Sequence, residues 1–170
     1  MYEKLKGFVV RFTLGVGITI STTTMAFAEG VIMEKQISLP LAQEAAMIAI
    51  EQCRKDGYKV AVTVVDRAGQ IKVILRDEGT GPYTLDTSRR KAYTSLAFRV
   101  STSEFAKRLS SNPAAANLKD VTDVIVLGGG LPLISGNEVI GAIGVVGAPG
   151  GDKDEACAQA GINKIIERLK

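Results

Sequence analysis

The chain has 170 residues, 46% of them hydrophobic and 23% charged, enough apolar content for one domain with a real core. It contains no histidine, which excludes Ser-His-Asp and Cys-His catalytic pairs, imidazole-based zinc sites and the commonest haem ligand. With no tryptophan and only 5% aromatic residues, it also lacks the rings of a nucleic-acid stacking platform, so no nucleic-acid partner is expected.

Residues 1–28 read as a signal peptide. Lys4, Lys6 and Arg11 make a positive start, "FTLGVGITI" is a short apolar core, and Ala26 and Ala28 are the small residues of a cleavage site before Glu29. The apolar run falls short of the roughly 20 residues of a membrane span, so export is expected rather than a retained anchor, with a periplasmic or secreted product and no membrane span after cleavage. The segment holds three cations and one anion; removing them from 21 basic and 18 acidic residues leaves a net charge of +1 and no general pull toward polyanions.

A short segment, residues 29–36, precedes a single domain over residues 37–170. "SLPLAQEAAMIAIEQCRKDG" has a serine cap, an early proline and a terminal glycine, the punctuation of a helix. Cys53 lies on its apolar stripe with Ala46 and Ile50, so it is either packed or bridged to Cys157. "KVAVTVVD" and "QIKVILR" form a hairpin across "RAG". A helix is predicted from about Asp86 to Arg99, with Tyr83 in the loop before it and Tyr93 facing the core on a stripe with Ala97 and Val100. "STSEFAKRLSSN" follows with a Ser101–Glu104 capping box and ends at Pro113. "LPLIS" and "VIGAIGVVG" form a second hairpin, and the last 20 residues form a closing helix capped by Asp152. Antiparallel hairpins interspersed with helices give an α+β domain, a sheet covered by helices.

"LGGGLP" lacks the Lys-Ser/Thr of a phosphate loop, and "GAIGVVG" has the wrong glycine spacing for a dinucleotide site. On a strand, Gly141, Ile143, Val145 and Gly147 share one face, and Ala142, Gly144 and Val146 the other. Those glycines allow close approach of a helix, a second subunit or a flat ligand.

The segments "VAVTVVDRAGQIKVILRDEGTGPYTLDTSRRKAYTSLAF", "TSEFAKRL", "NLKD", "LGGGLPLI" and "VIGAIGVVGAPGGDKDEACAQAG" closely resemble the GlcG/HbpS-like haem-binding family, over about residues 36–170. The resemblance implies a profilin-like α/β/α sandwich, a tendency to form homo-oligomers, and haem as a possible cofactor. It also implies a surface iron site of two acids three residues apart. The matching positions here are Asp86 and Arg89, so the second acid is a cation. Where some members carry a histidine, this chain has Tyr83.

Beside the resemblance stands the cation cluster Arg89, Arg90 and Lys91. Tyr83 is the expected metal ligand to haem iron, Arg89 and Arg90 the expected partners of its propionates, and Lys91 and Thr122 further contacts. The alternative is a solvated cationic face whose arginines pair with acids such as Asp86. Three function classes follow: an exported tetrapyrrole-binding protein acting as scavenger, carrier or sensor accessory; a protein or enzyme for a small organic anion, with Tyr83 or Lys91 as acid or base; and a structural or accessory oligomer.

Overall fold

A computed structural model describes residues 30–170; the expected signal peptide, residues 1–28, lies outside them. Strand β1 (Ala61–Asp66) is buried on both faces, as its unbroken run of small and β-branched side chains requires. It lies between β2 (Ile71–Arg76) and β4 (Glu138–Val146), and β4 in turn pairs with β3 (Gly130–Ser135). All three pairings are antiparallel, in the order β2-β1-β4-β3. Residues Glu34–Lys170 form one unit around this sheet.

Helices α1 (Leu39–Lys55) and α4 (Gly151–Ile165) pack side by side against one face, where Val62, Val64, Ile143 and Val145 join the main core. The contact is close because it is built from small residues: Ala42, Ala45, Ala46 and Ala49 from α1 face Ala158 and Gly161 from α4. A Cβ on Gly161 would run into the Ala45 carbonyl oxygen. Cys53 and Cys157 are bridged across the same contact with Cα atoms 5.6 Å apart, so the two cysteines are both packed and bonded.

Helix α2 (Thr84–Phe98) covers the other face. There the interior is partly polar: Thr63 and Ser88 hydroxyls meet at 2.7 Å, while Val65, Ala92 and Ala142 make a small second core. Gly144 provides the clearance, since a Cβ there would collide with the Ser88 carbonyl. The alternation expected along β4 is therefore observed. Gly144 admits the helix, whereas a Cβ on Gly141 would meet the Val65 carbonyl and Ile37, so both positions are filled from within the chain.

The structure departs from the expectations at several local points. Helix α2 starts at Thr84, with Tyr83 as its N-cap residue rather than a free loop residue. Gly150, not Asp152, occupies the N-cap of α4; only glycine suits its φ of 146°. After α3 (Thr102–Ser111), residues Pro113–Asp120 form a 3-10 turn that periodicity did not predict. Ser101 caps α3 through the Glu104 backbone N–H, as expected, but the Glu104 carboxylate accepts from Arg108 instead of closing the box.

Candidate functional site

Gly81 and Pro82 lead into α2, and the Thr84 hydroxyl ties the entry by donating to the Gly81 carbonyl at 2.7 Å. Tyr83 projects from this corner and is 63% exposed. Along the helix, Tyr83, Thr87 and Lys91 recur at four-residue spacing and so share one side. They form one wall of a cleft of about 260 Å³, whose other wall comes from Leu127, Gly128 and the turn entering α4.

Lys91 forms the buried floor of that cleft. Its Nζ donates to Asp154 Oδ2 at 2.7 Å and to the Val145 carbonyl at 2.9 Å, while Asp154 Oδ1 accepts from the Ala148 N–H. Both side chains are almost wholly out of water. Burial lowers the Lys91 pKa and raises that of Asp154, with the attraction between them opposing both displacements. Lys91 therefore does not belong to a solvated cationic face: its ammonium is held by the fold at the base of the cleft. Gly129 leaves room for it, since a Cβ there would lie 2.7 Å from Lys91 Nζ.

The arginines lie on the flank of α2 beyond the cleft lining. Arg89 donates to Asp86 at 2.8 Å and to Asp123 at 2.7 Å, so the expected propionate partner is already neutralised by two acids. These contacts raise the Arg89 pKa and hold the Asp123 carboxyl below its usual range. The Asp86–Arg89 pair also replaces the two-acid iron site with a neutral one, and no cluster of three or more metal-ligating side chains occurs among the described residues. Arg90 donates from one Nη to the Val124 carbonyl at 2.7 Å, and Thr94 accepts from the Ile125 N–H at 2.9 Å. Thr122 is exposed at the start of this pinned segment.

Thus Tyr83 and Lys91 share the cleft, whereas Arg89, Arg90 and the segment after Thr122 form the adjoining strip. Tyr93 is not a core residue; it lines a separate cleft at the far end of α2. The residue that the sequence did not single out is Asp154, the buried partner of Lys91. Its spacing held the clue: Asp154, Cys157, Ala158 and Gly161 fall at i, i+3, i+4 and i+7, so the acid sits on the buried stripe.

Comparison with known proteins places this geometry among relatives. A family model described as "Haem degrading protein HbpS-like" matches residues 37–163. The crystal structure of a double glutamate-to-aspartate mutant of Streptomyces reticuli HbpS superposes with a TM-score of 0.78 at 39% identity, covering 85% of this chain and 97% of that one. Protein GlcG of Escherichia coli K12 is 27% identical over 117 residues, 66% of this chain and 84% of GlcG. A crystal structure of a PduOC–haem complex shares the fold, with a TM-score of 0.68 at 23% identity, covering 75% of this chain and 94% of that one.

Proposed function

The chain belongs to the HbpS-like family, and from that premise we propose that it is an exported haem-binding protein whose haem site is the Tyr83 side of α2. The observation that carries the site is the exposed phenol of Tyr83 at the mouth of a cleft in a chain without histidine. A phenolate is an accepted ligand of ferric haem. Leu127 lines the cleft and is exposed, an apolar surface that a porphyrin face would cover. The cleft, about 260 Å³, would take only part of a tetrapyrrole. Bound haem would supply a ferric centre to which Tyr83 is the donor. Arg90, with donors left beyond its one carbonyl contact, serves a propionate better than Arg89, which is committed to two acids.

Export is supported by the signal-like segment and by the Cys53–Cys157 bridge, a feature of oxidising compartments. Assembly with further copies would use the sheet edges, where Ile71 and Ile74 on β2 and Ile134 on β3 are exposed. Light scattering should give a mass above the monomer, and protein recovered from the periplasm should begin at Glu29.

The decisive experiment titrates hemin into the chain from Glu29 onward and into Tyr83→Phe and Arg90→Ala. The wild type should give a saturable high-spin ferric spectrum, Tyr83→Phe should change that spectrum, and Arg90→Ala should weaken affinity without altering it. An unchanged spectrum and affinity in Tyr83→Phe would remove Tyr83 as ligand and make Thr122 the next residue to test. No saturable binding would overturn the haem reading.

A further inference from the structure

The opposite end of α2 borders a second cleft of about 400 Å³, within the size range of small-ligand sites. It opens where the β1–β2 turn and the β3–β4 turn approach the last turns of the helix. Tyr93, Leu96 and Val139 give it apolar walls, and Arg67, Arg99 and Asn137 give it polar ends. The Tyr93 ring is seated against the first turn by Gly69: a Cβ there would lie 3.2 Å from the ring atoms Cδ2 and Cε2.

The charges at this cleft are unequal in their commitments. Arg67 donates to Glu138 at 2.8 Å and lies 3.4 Å from Glu34, and Glu138 is also 3.9 Å from Lys35. Both acids are thereby answered. Arg99 forms no ion pair among the described residues and sits just past the end of α2 with φ at 57°. Eight other described residues with positive φ are glycines, and Asp123 is the one further exception. A long side chain is therefore carried at a helix terminus where glycine is the easier residue, and it borders the cleft.

We propose that this cleft binds a small amphipathic carboxylate, its apolar body against Tyr93 and Leu96 and its carboxylate on the Arg99 guanidinium. A neutral ligand would cover Arg99 without pairing its charge. A compact dianion would leave the apolar wall unused and would sit beside Glu34 and Glu138. A monoanion with an aromatic or branched body answers both features. This site is separate from the Tyr83 cleft and stands or falls independently of haem binding.

Benzoate is a suitable probe, with benzamide as the uncharged analogue and acetate as the charge without the body. Amide spectra of the ¹⁵N-labelled chain from Glu29 onward should shift with benzoate at residues 67–70, 93–99 and 136–139, and not at 83–91. Benzamide and acetate should each bind about tenfold more weakly, the loss of one of the two contacts. Arg99→Gly keeps the left-handed backbone, so it should fold with an undiminished melting temperature and lose about tenfold in benzoate affinity. No saturable shift with benzoate, shifts centred elsewhere, or equal affinity in Arg99→Gly would overturn the proposal. Hemin titration of Arg99→Gly should match the wild type, which separates failure of this site from failure of the Tyr83 site.

Discussion

Lys91 and Asp154, 63 residues apart in sequence, meet at 2.7 Å beneath the candidate haem cleft and join the middle of α2 to the first turn of α4. The two helices lie on opposite faces of the sheet, so this pair and the Val145 carbonyl connect the two layers past one end of β4.

Removing one partner leaves a charge buried without its counterion. Lys91→Met and Asp154→Asn should therefore each destabilise the domain by about 3–5 kcal/mol. Lys91→Met combined with Asp154→Leu should recover a large part of that loss, because the double change removes both buried charges together. Urea unfolding of the three variants measures this. Recovery in the double variant separates a structural ion pair from a pair of unrelated packing defects.

Gly144 is predicted to be irreplaceable for a different reason. Its position under α2 leaves no room for a Cβ before the Ser88 carbonyl, and α2 cannot retreat without opening the Thr63–Ser88 contact. Gly144→Ala should cost about 1–3 kcal/mol, the range for overpacking a well-filled site. Gly79→Ala is the useful contrast. It faces only the flexible end of Lys59, so its cost should be limited to that of its positive φ.

The two hairpins and the helical segments were legible because each rests on local patterning, whereas the order β2-β1-β4-β3 was not, since it depends on β1 pairing with β4 about 80 residues away. β1 reads as a buried strand, α1 runs from its early proline to the positive-φ Gly57 although the Ser38 hydroxyl makes no capping hydrogen bond, and β4 alternates with period two. The roles within "SRRK" were not legible. Arg89, Arg90 and Lys91 are consecutive, so they leave the helix about 100° apart and meet three environments: a pair of acids, a backbone carbonyl and a buried counterion. Their partners Asp123, Val124 and Asp154 are 34 to 63 residues away, a distance over which local pattern carries no information. The apolar stripe did hold one hint, since Ser88, Lys91, Ala92 and Ser95 follow helical spacing and are all buried.

The ion pair between Arg54 and Asp77 should make stability depend on acid pH. Asp77 is buried and accepts from Arg54 at 3.0 and 2.6 Å, which holds its carboxyl below the usual value of 3.8. A carboxylate with a depressed folded pKa contributes stability above its unfolded value and loses that contribution as pH falls through the folded value. Asp77→Asn should therefore be less stable than wild type at neutral pH, and the gap should narrow below about 3.8. Urea midpoints across that range test the sign. A gap that widens in acid would show that Asp77 acts through something other than its charge.

The Cys53–Cys157 bridge gives the proposed location a physical consequence. It closes a loop of 104 residues between the two helices that share the alanine-rich contact. Constraining a loop of that length removes much of the freedom of the unfolded chain, and loss of such a bridge typically costs about 2–5 kcal/mol. Both sulfurs are fully buried, so a reductant reaches them only when α1 and α4 separate. Protein purified from the periplasm should therefore be oxidised and resist mild reductant under native conditions. Cys53→Ala and Cys157→Ala should each lower stability by a similar amount, and the double variant by little more, since either change alone breaks the bond. Mass spectrometry after alkylation, with and without prior unfolding, reads the state of the bond directly. Free thiols in the freshly isolated native protein would contradict the bridge and remove its support for export.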